Sequence, residues 1–227
     1  MLSIRAFDTE TTGLTPPIAV AELSFARIIE VVPGMSYHIE DCFTMLVDPE
    51  RPMEPEASEK NGIYDKDIER EKPPPLRDIK LPQDPCYFVA HNVPFDYPLL
   101  KNHINVIGTL CTLQMARRFS PKAPTHQLQD LIEWLGISEN PTHWAEDDTM
   151  ACAELLVHYL VTLGWGFMKM YDYLQQPFEY KEMIWGKHRG LAMSDVPTGY
   201  LFFLDELELD VDMRHTVNQQ LKYRGLR

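Results

Sequence analysis

Four shortages in this chain each narrow what it can be. No apolar run approaches the ~20 residues that a bilayer-spanning helix needs, and the N-terminal MLSIRAFDTE is charged where a secretory leader carries its apolar stretch. Those absences predict a cytoplasmic protein that touches no membrane. Cysteine is limited to Cys42, Cys86, Cys111 and Cys152, without a CxxC pair and without zinc-ligand spacing. They read as free thiols in a reducing compartment. Glycine is sparse, 11 residues against 18 prolines, so connections are rigid more than floppy, and 44% hydrophobic residues exclude large-scale disorder. Basic residues are outnumbered, 21 Lys and Arg against 34 Asp and Glu, giving a net charge of −13. Taken alone, that balance argues against nucleic acid, whose partners normally carry a basic surface.

The acidity is local. Residues 1–165 hold 13 basic against 25 acidic side chains, and 166–227 hold 8 against 9. An acidic domain still handles a polyanion if its carboxylates carry divalent cations, which reverse the charge where phosphate must sit. The length of 227 residues fits one catalytic domain with an appendage.

Residues 2–7, LSIRAF, form a short apolar run ending on Asp8, which predicts a buried strand delivering its last side chains to a sheet end. Two β-rich stretches, 19–32 and 35–47, flank the turn dipeptide Pro33-Gly34 and predict an antiparallel hairpin. Residues 48–86 are rich in proline and charge, a surface excursion with short helices near 58–62 and 65–69 and little core. CYFVA at 86–90 reads as a fully buried strand, followed by a helix over 94–102. A fifth strand runs into a helix within 106–118, and Leu128, Leu131, Ile132 and Leu135 mark a helix face. After a loop at 138–142, Ala151, Leu155, Leu156, Tyr159 and Leu160 form the stripe of a long helix over 147–163. These readings divide the chain into a domain at 1–165, a connecting segment at 166–180 and a small terminal unit at 181–227.

The chemistry starts in FDTETTGL at 7–14. Asp8 and Glu10 lie two apart, so on an extended strand both carboxylates point the same way. Same-side carboxylates at a strand end make a hard oxygen site for Mg²⁺ or Mn²⁺, although a lone D-x-E is more often a solvated acidic strand end. Asp96 follows in HNVPFDYPLL, early on a helix after the buried strand. His143 and Asp148 stand five apart in HWAEDDTMACAELL, with Asp148 early on the long helix.

Together these three blocks resemble the DEDDh 3′→5′ exonucleases, whose motifs are D-x-E on the first strand, an Asp after an N-x-x-F stretch, and H-x-x-x-x-D. The resemblance implies a ribonuclease-H-like α/β fold: a mixed five-stranded sheet, its first three strands antiparallel, flanked by helices. It implies that Asp8, Glu10, Asp96 and Asp148 hold two Mg²⁺ ions, with Mn²⁺ able to substitute. His143 becomes the general base that takes a proton from the attacking water, a role suited to an imidazole near neutral pKa. Asp147 competes for the last ligand position, but only Asp148 has four residues between it and His143.

Several substrate contacts carry two readings. Leu14 and Phe95 either stack beside the terminal base or pack in the core; Asn92 either orients the scissile phosphate or caps the following helix. Thr9 is a candidate to donate its backbone N–H to the 3′ hydroxyl. Arg117 and Arg118 either reach phosphate or decorate an exposed helix face.

WGKHRGLAMSDVPTGYLFFL at 185–204 is not a P-loop, since no earlier glycine has the required spacing. It looks like the C-terminal extension of the bacterial exonuclease X type, which implies a 3′→5′ exodeoxyribonuclease acting on single-stranded and duplex DNA ends, with roles in repair. Lys187 and Arg189 then become candidates for backbone contact, and Tyr200, Leu201, Phe202 and Phe203 either dock the tail or meet a second subunit in a homodimer. The acidic DELELDVD at 205–212 argues against an extended basic groove there. The rival readings are an RNA exonuclease of the same fold, a non-catalytic DNA-end-binding or adaptor module, and a proofreading subunit bound to a polymerase.

Overall fold

A computed structural model describes residues 2–137 and 145–227. Its contacts fall into two compact units, Met1–Leu113 with Thr125–Met170, and Gln114–Pro124 with Tyr171–Arg227. The second unit thus draws in an eleven-residue internal segment that a linear division of the chain leaves in the first domain.

The first unit is built on a five-stranded sheet. Its strands are β1 (Ile4–Thr11), β2 (Val20–Val32), β3 (Ser36–Leu46), β4 (Cys86–Ala90) and β5 (Val106–Cys111), arranged β3-β2-β1-β4-β5. The pairs β1/β2 and β2/β3 are antiparallel, while β1/β4 and β4/β5 are parallel. The expected hairpin is present, turned at Pro33-Gly34. Gly34 has φ +72°, and a Cβ there would stand 2.6 Å from the backbone of Gly164, so only glycine suits the position.

β1 runs further than its apolar segment. It continues through Asp8 and Glu10 to Thr11 because β2 pairs with it all the way to Thr11↔Val20. β4 pairs only with Ile4–Ala6. The last residues of β1 therefore overhang the parallel edge, and that overhang leaves room for side chains from elsewhere.

Alternation along β1 sorts its two faces. Phe7 joins Leu23, Phe88, Val93 and Leu100 in one core cluster, with the rings of Phe7 and Phe88 stacked at 4.6 Å. That layer is closed by α3 (Val93–Leu100). The opposite face is covered by α6 (Ala145–Leu163), which crosses β1, β2 and β3. Small residues Ala151, Cys152 and Ala153 and the larger Leu155, Leu156, Tyr159 and Leu160 are its buried positions. Helix α5 (Leu128–Trp134) packs beside it, burying Leu128, Leu131 and Ile132.

The excursion after β3 forms α1 (Pro55–Asn61), α2 (Asp65–Glu71) and a 3₁₀ turn at Leu76–Asp78. It contributes more core than its composition predicts, since Met53 and Ile63 bury against Ala21 and Leu81 enters the main cluster.

Helix α4 (Thr112–Phe119) follows β5 directly, and α7 (Phe167–Gln175) occupies most of the segment read from sequence as a connection. In α7 the residues Phe167, Met170 and Leu174 are buried, an i, i+3, i+7 stripe. The second unit adds α8 (Thr198–Asp205) and α9 (Val211–Tyr223), packed on each other around Met193, Val196, Leu201, Leu204, Met213 and Val217. Phe202 and Phe203 remain exposed.

Arg117 and Arg118 match neither sequence reading. The Arg118 guanidinium is 1% exposed and forms a bidentate pair with the fully buried Asp212, at 2.7 Å from each carboxylate oxygen. It also donates to the carbonyls of Tyr173, Leu174 and Gln176. Arg117 pairs with Asp210 at 2.8 Å. Much of the acidic run at 205–212 is thereby spent on internal pairing, with Asp205 held by Arg214 and Arg227.

Candidate active site

The site lies where β1 overhangs β4. Asp8 and Glu10 project from one face of β1 toward the first turns of α6, which supplies Asp148; one oxygen from each lies within 4.8 Å of the others. Asp147, one residue earlier, points away and is exposed. Helix periodicity makes the distinction, because adjacent residues lie ~100° apart.

Asp96 arrives from α3 and is 3% exposed. Its Oδ1 accepts from the Thr9 hydroxyl at 2.7 Å and the Thr9 backbone N–H at 3.2 Å. That N–H is free of the sheet because β4 has already ended, and Asp96 takes it. In this structure it serves the carboxylate. Gln129 on α5 donates to Asp148 Oδ1.

Electrostatically the cluster is unbalanced. Burial pushes Asp8 well above the usual carboxylate range, and Asp96, Asp148 and Glu10 add repulsion, with Lys60 opposing. Glu10 is pushed up to about 7 by burial, against the pull of Lys60. Asp96 is pushed up to about 7 by burial, although its two bonds from Thr9 favour the charged form. No Lys or Arg forms an ion pair with Asp8, Glu10 or Asp96 among the described residues. Hard oxygen donors that repel one another fit divalent cations, whose charge would remove the conflict.

The cleft around this cluster has a volume of ≈ 460 Å³. Leu14, 75% exposed, and the half-buried Phe95 both line it, so neither is a core residue. Asn92 also lines it; it stands at the N-cap position of α3 with left-handed backbone (φ 81°), but its side chain makes no capping bond. His91 is held at both nitrogens: Nε2 lies 2.9 Å from the His126 carbonyl, which can only accept, and Nδ1 lies 3.0 Å from Thr112 Oγ1. His143 lies outside the described residues.

Sequence reading missed one wall altogether. Glu54, Lys60 and Asn61 of the excursion line the cleft. Thr12 accepts from the Glu54 N–H at 2.8 Å, and the Asn61 amide donates to the Thr11 carbonyl at 3.3 Å. Gly13 suits this approach: its φ of +149° is one that L side chains rarely adopt, and the Glu54 side chain packs where a Cβ would stand. Only the glycine itself hinted at the contact.

In the second unit, Lys187 is exposed on the turn that follows Trp185. Arg189 donates to the carbonyls of Ala123 and Pro124, which ties the turn to the internal segment of that unit.

The family profile described as Exonuclease matches residues 6–156, a span that runs from within β1 into α6. The chain belongs to the exonuclease family. Its sequence is 29% identical over 212 residues to exodeoxyribonuclease 10 of Escherichia coli (strain K12), covering 88% of this chain and 90% of that protein. It is 32% identical over 171 residues to DNA polymerase III subunit epsilon of Treponema pallidum (strain Nichols), covering 68% and 74%. Among solved structures, exonuclease X in complex with 5′ overhanging duplex DNA superposes with a TM-score of 0.59 at 24% identity, over 75% of this chain and 99% of that one. The fold is the ribonuclease-H-like fold of that exonuclease, as the resemblance to the DEDDh group implies. An exonuclease is a hydrolase of nucleic acid, and the exonuclease family depends on divalent metal, which the acidic cluster is suited to hold.

Proposed function

We propose that this exonuclease-family protein is a 3′→5′ exodeoxyribonuclease that removes nucleoside 5′-monophosphates from DNA 3′ ends in DNA repair, in the cytoplasm. The observation that carries the reading is the convergence of Asp8, Glu10 and Asp148 within 4.8 Å, with Asp96 beside them, in one cleft. DNA is favoured over RNA by the exodeoxyribonuclease relative that aligns over 90% of its own length.

In this reading Asp8, Glu10, Asp96 and Asp148 hold two Mg²⁺ ions, or Mn²⁺ in their place. Bound divalent cations supply the charge that activates water at neutral pH and stabilises a leaving 3′ oxygen. Thr9 holds Asp96 in position through two hydrogen bonds, and Gln129 holds Asp148 through one. His143, by its spacing from Asp148, accepts the proton from water. Leu14 and Phe95 offer apolar faces to the terminal base at the mouth, and Asn92 turns its free amide toward the phosphate. Lys187 contacts the DNA backbone; Arg189 fixes the turn that carries it.

Digestion of 5′-labelled DNA and RNA oligonucleotides, in Mg²⁺ and in EDTA, compares wild type with Asp8→Ala. Stepwise shortening of DNA in Mg²⁺ alone, absent in the variant, is the expected result. Faster loss of RNA would replace the substrate, and DNA binding with every substrate left intact would replace the enzyme by an end-binding module. Size-exclusion chromatography and a pull-down with DNA polymerase test a homodimer and a proofreading association.

A further inference from the structure

Lys60 is the one Lys or Arg among the described residues that line the carboxylate cleft. It stands in the last turn of α1, a helix whose position is fixed and not left to a free loop. Asn61, its neighbour, donates to Thr11 at the end of β1 and accepts from the Ile63 N–H at 3.0 Å. Gly62 closes the helix in the left-handed conformation, and Met53 and Ile63 anchor the segment to Ala21 on β2. The ammonium is thus carried to the edge of the metal-ligating cluster by packing and by backbone bonds on both sides of it.

Its chemistry there is unspent. Lys60 is exposed and makes no hydrogen bond or ion pair within 4.0 Å among the described residues. Its field nonetheless reaches both Asp8 and Glu10. A cation whose only role is to neutralise a carboxylate gains by closing onto it. One that stays a short way off, facing a cleft that contains Glu54, Glu56 and the four cluster acids, is placed to meet an anion that enters.

We propose that Lys60 binds the phosphate of the nucleotide being removed, and keeps hold of it as the phosphomonoester of the released nucleoside 5′-monophosphate. This rests on the exonuclease reading above and names a specificity-determining residue for it. A phosphodiester carries one negative charge and the released monoester nearly two, so the interaction strengthens as product forms. Lys60 should therefore affect product affinity more than substrate affinity, and slow release of the monophosphate.

The test uses the full chain with Mg²⁺ and two probes, thymidine 5′-monophosphate and thymidine, measured by calorimetry and as inhibitors of DNA digestion. Wild type should bind the monophosphate at least tenfold more tightly than thymidine. Lys60→Met should lose most of that difference, with thymidine unaffected, and Lys60→Arg should recover part of it. Metal affinity and the melting temperature of each variant are read in parallel. If Lys60→Met keeps the full preference for the monophosphate, or changes only metal affinity, Lys60 is a local neutralising charge and the proposal is wrong. If wild type neither degrades nor binds nucleic acid, the exonuclease reading itself has failed, an outcome the variants cannot mimic.

Discussion

Asp96 and Asp212 are both buried acids, and the two units of the chain treat them in opposite ways. Asp212 is enclosed with a bidentate guanidinium, and Gln114 donates to its Oδ2 at 3.2 Å. Asp96 has a hydroxyl and an N–H for company, while its nearest charged groups are other carboxylates. The first arrangement is self-sufficient, because both carboxylate oxygens have donors and the charge has its opposite. The second is completed only by something that arrives from outside. A buried ionised acid without a counter-charge is costly, so the first unit gives up stability at the place where it binds.

The largest effect that would sharpen this contrast is on activity. Asp8→Ala should abolish metal-dependent DNA hydrolysis while leaving the metal-free protein at least as stable as wild type, since it removes one of the mutually repelling charges. Activity assays and thermal melts in EDTA report both. A strong loss of stability would mean that Asp8 is structural and would break the comparison from one side.

The matching change in the second unit is Arg118→Met. It leaves Asp212 buried and unpaired, which typically costs about 3–5 kcal/mol, read by urea denaturation. Arg118→Met with Asp212→Leu should recover much of that loss, because no charge is then stranded. No such partner substitution exists for the carboxylate cluster, where no described Lys or Arg forms an ion pair with Asp8, Glu10 or Asp96.

Metal and pH come next. Glu10 and Asp96 have folded-state values near 7, above the ordinary 4.5 and 3.8. The unfolded chain therefore loses these protons first. The contribution of these two groups to the stability of the metal-free protein should be fullest below about pH 4, fall as pH rises toward 7 with a slope of up to about 1.4 kcal/mol per unit for each group, and level off above. Mg²⁺ at 100 times its Kd should return about 2.7 kcal/mol, and more of it at pH 7.5 than at pH 5.5, where protons compete for the ligands. Melting curves across pH, with and without metal, measure the effect; a pH-independent metal shift would count against ligands with raised pKa values.

What could be read before folding follows the range of the interactions. The two-residue step from Asp8 to Glu10 and the hydrophobic stripe of α6 are local periodicities, so strand, helix and the shared facing of Asp8 and Glu10 were legible. Asp148 could be chosen over Asp147 only through the motif of the resembled family, which puts four residues between it and His143. The pairing of Arg118 with Asp212 spans 94 residues, and no local pattern encodes it; an acidic run reads as solvated surface until its partners are known. Lys60 and Asn61 were invisible for the same reason, since what makes them part of the cleft is a contact with Thr11 fifty positions earlier. That the Thr9 N–H meets Asp96 was not legible either, since it depends on where β4 stops.

The smallest test grades the second unit against itself. Asp210 pairs with Arg117, as Asp212 pairs with Arg118, but its side chain is 29% exposed and it also caps α9, its Oδ1 accepting from the Met213 N–H at 2.9 Å. If burial is what makes the inner pair indispensable, the outer one should cost little to break. Asp210→Asn keeps the cap and removes the charge, and should cost about 0–1 kcal/mol. Asp210→Ala removes both and should cost about 1 kcal/mol more. Urea denaturation of the two variants separates charge from cap. A loss for Asp210→Asn approaching that of Arg118→Met would show that solvent screens neither pair, and that the completeness of the second unit rests on its whole charge network and not on the buried pair alone.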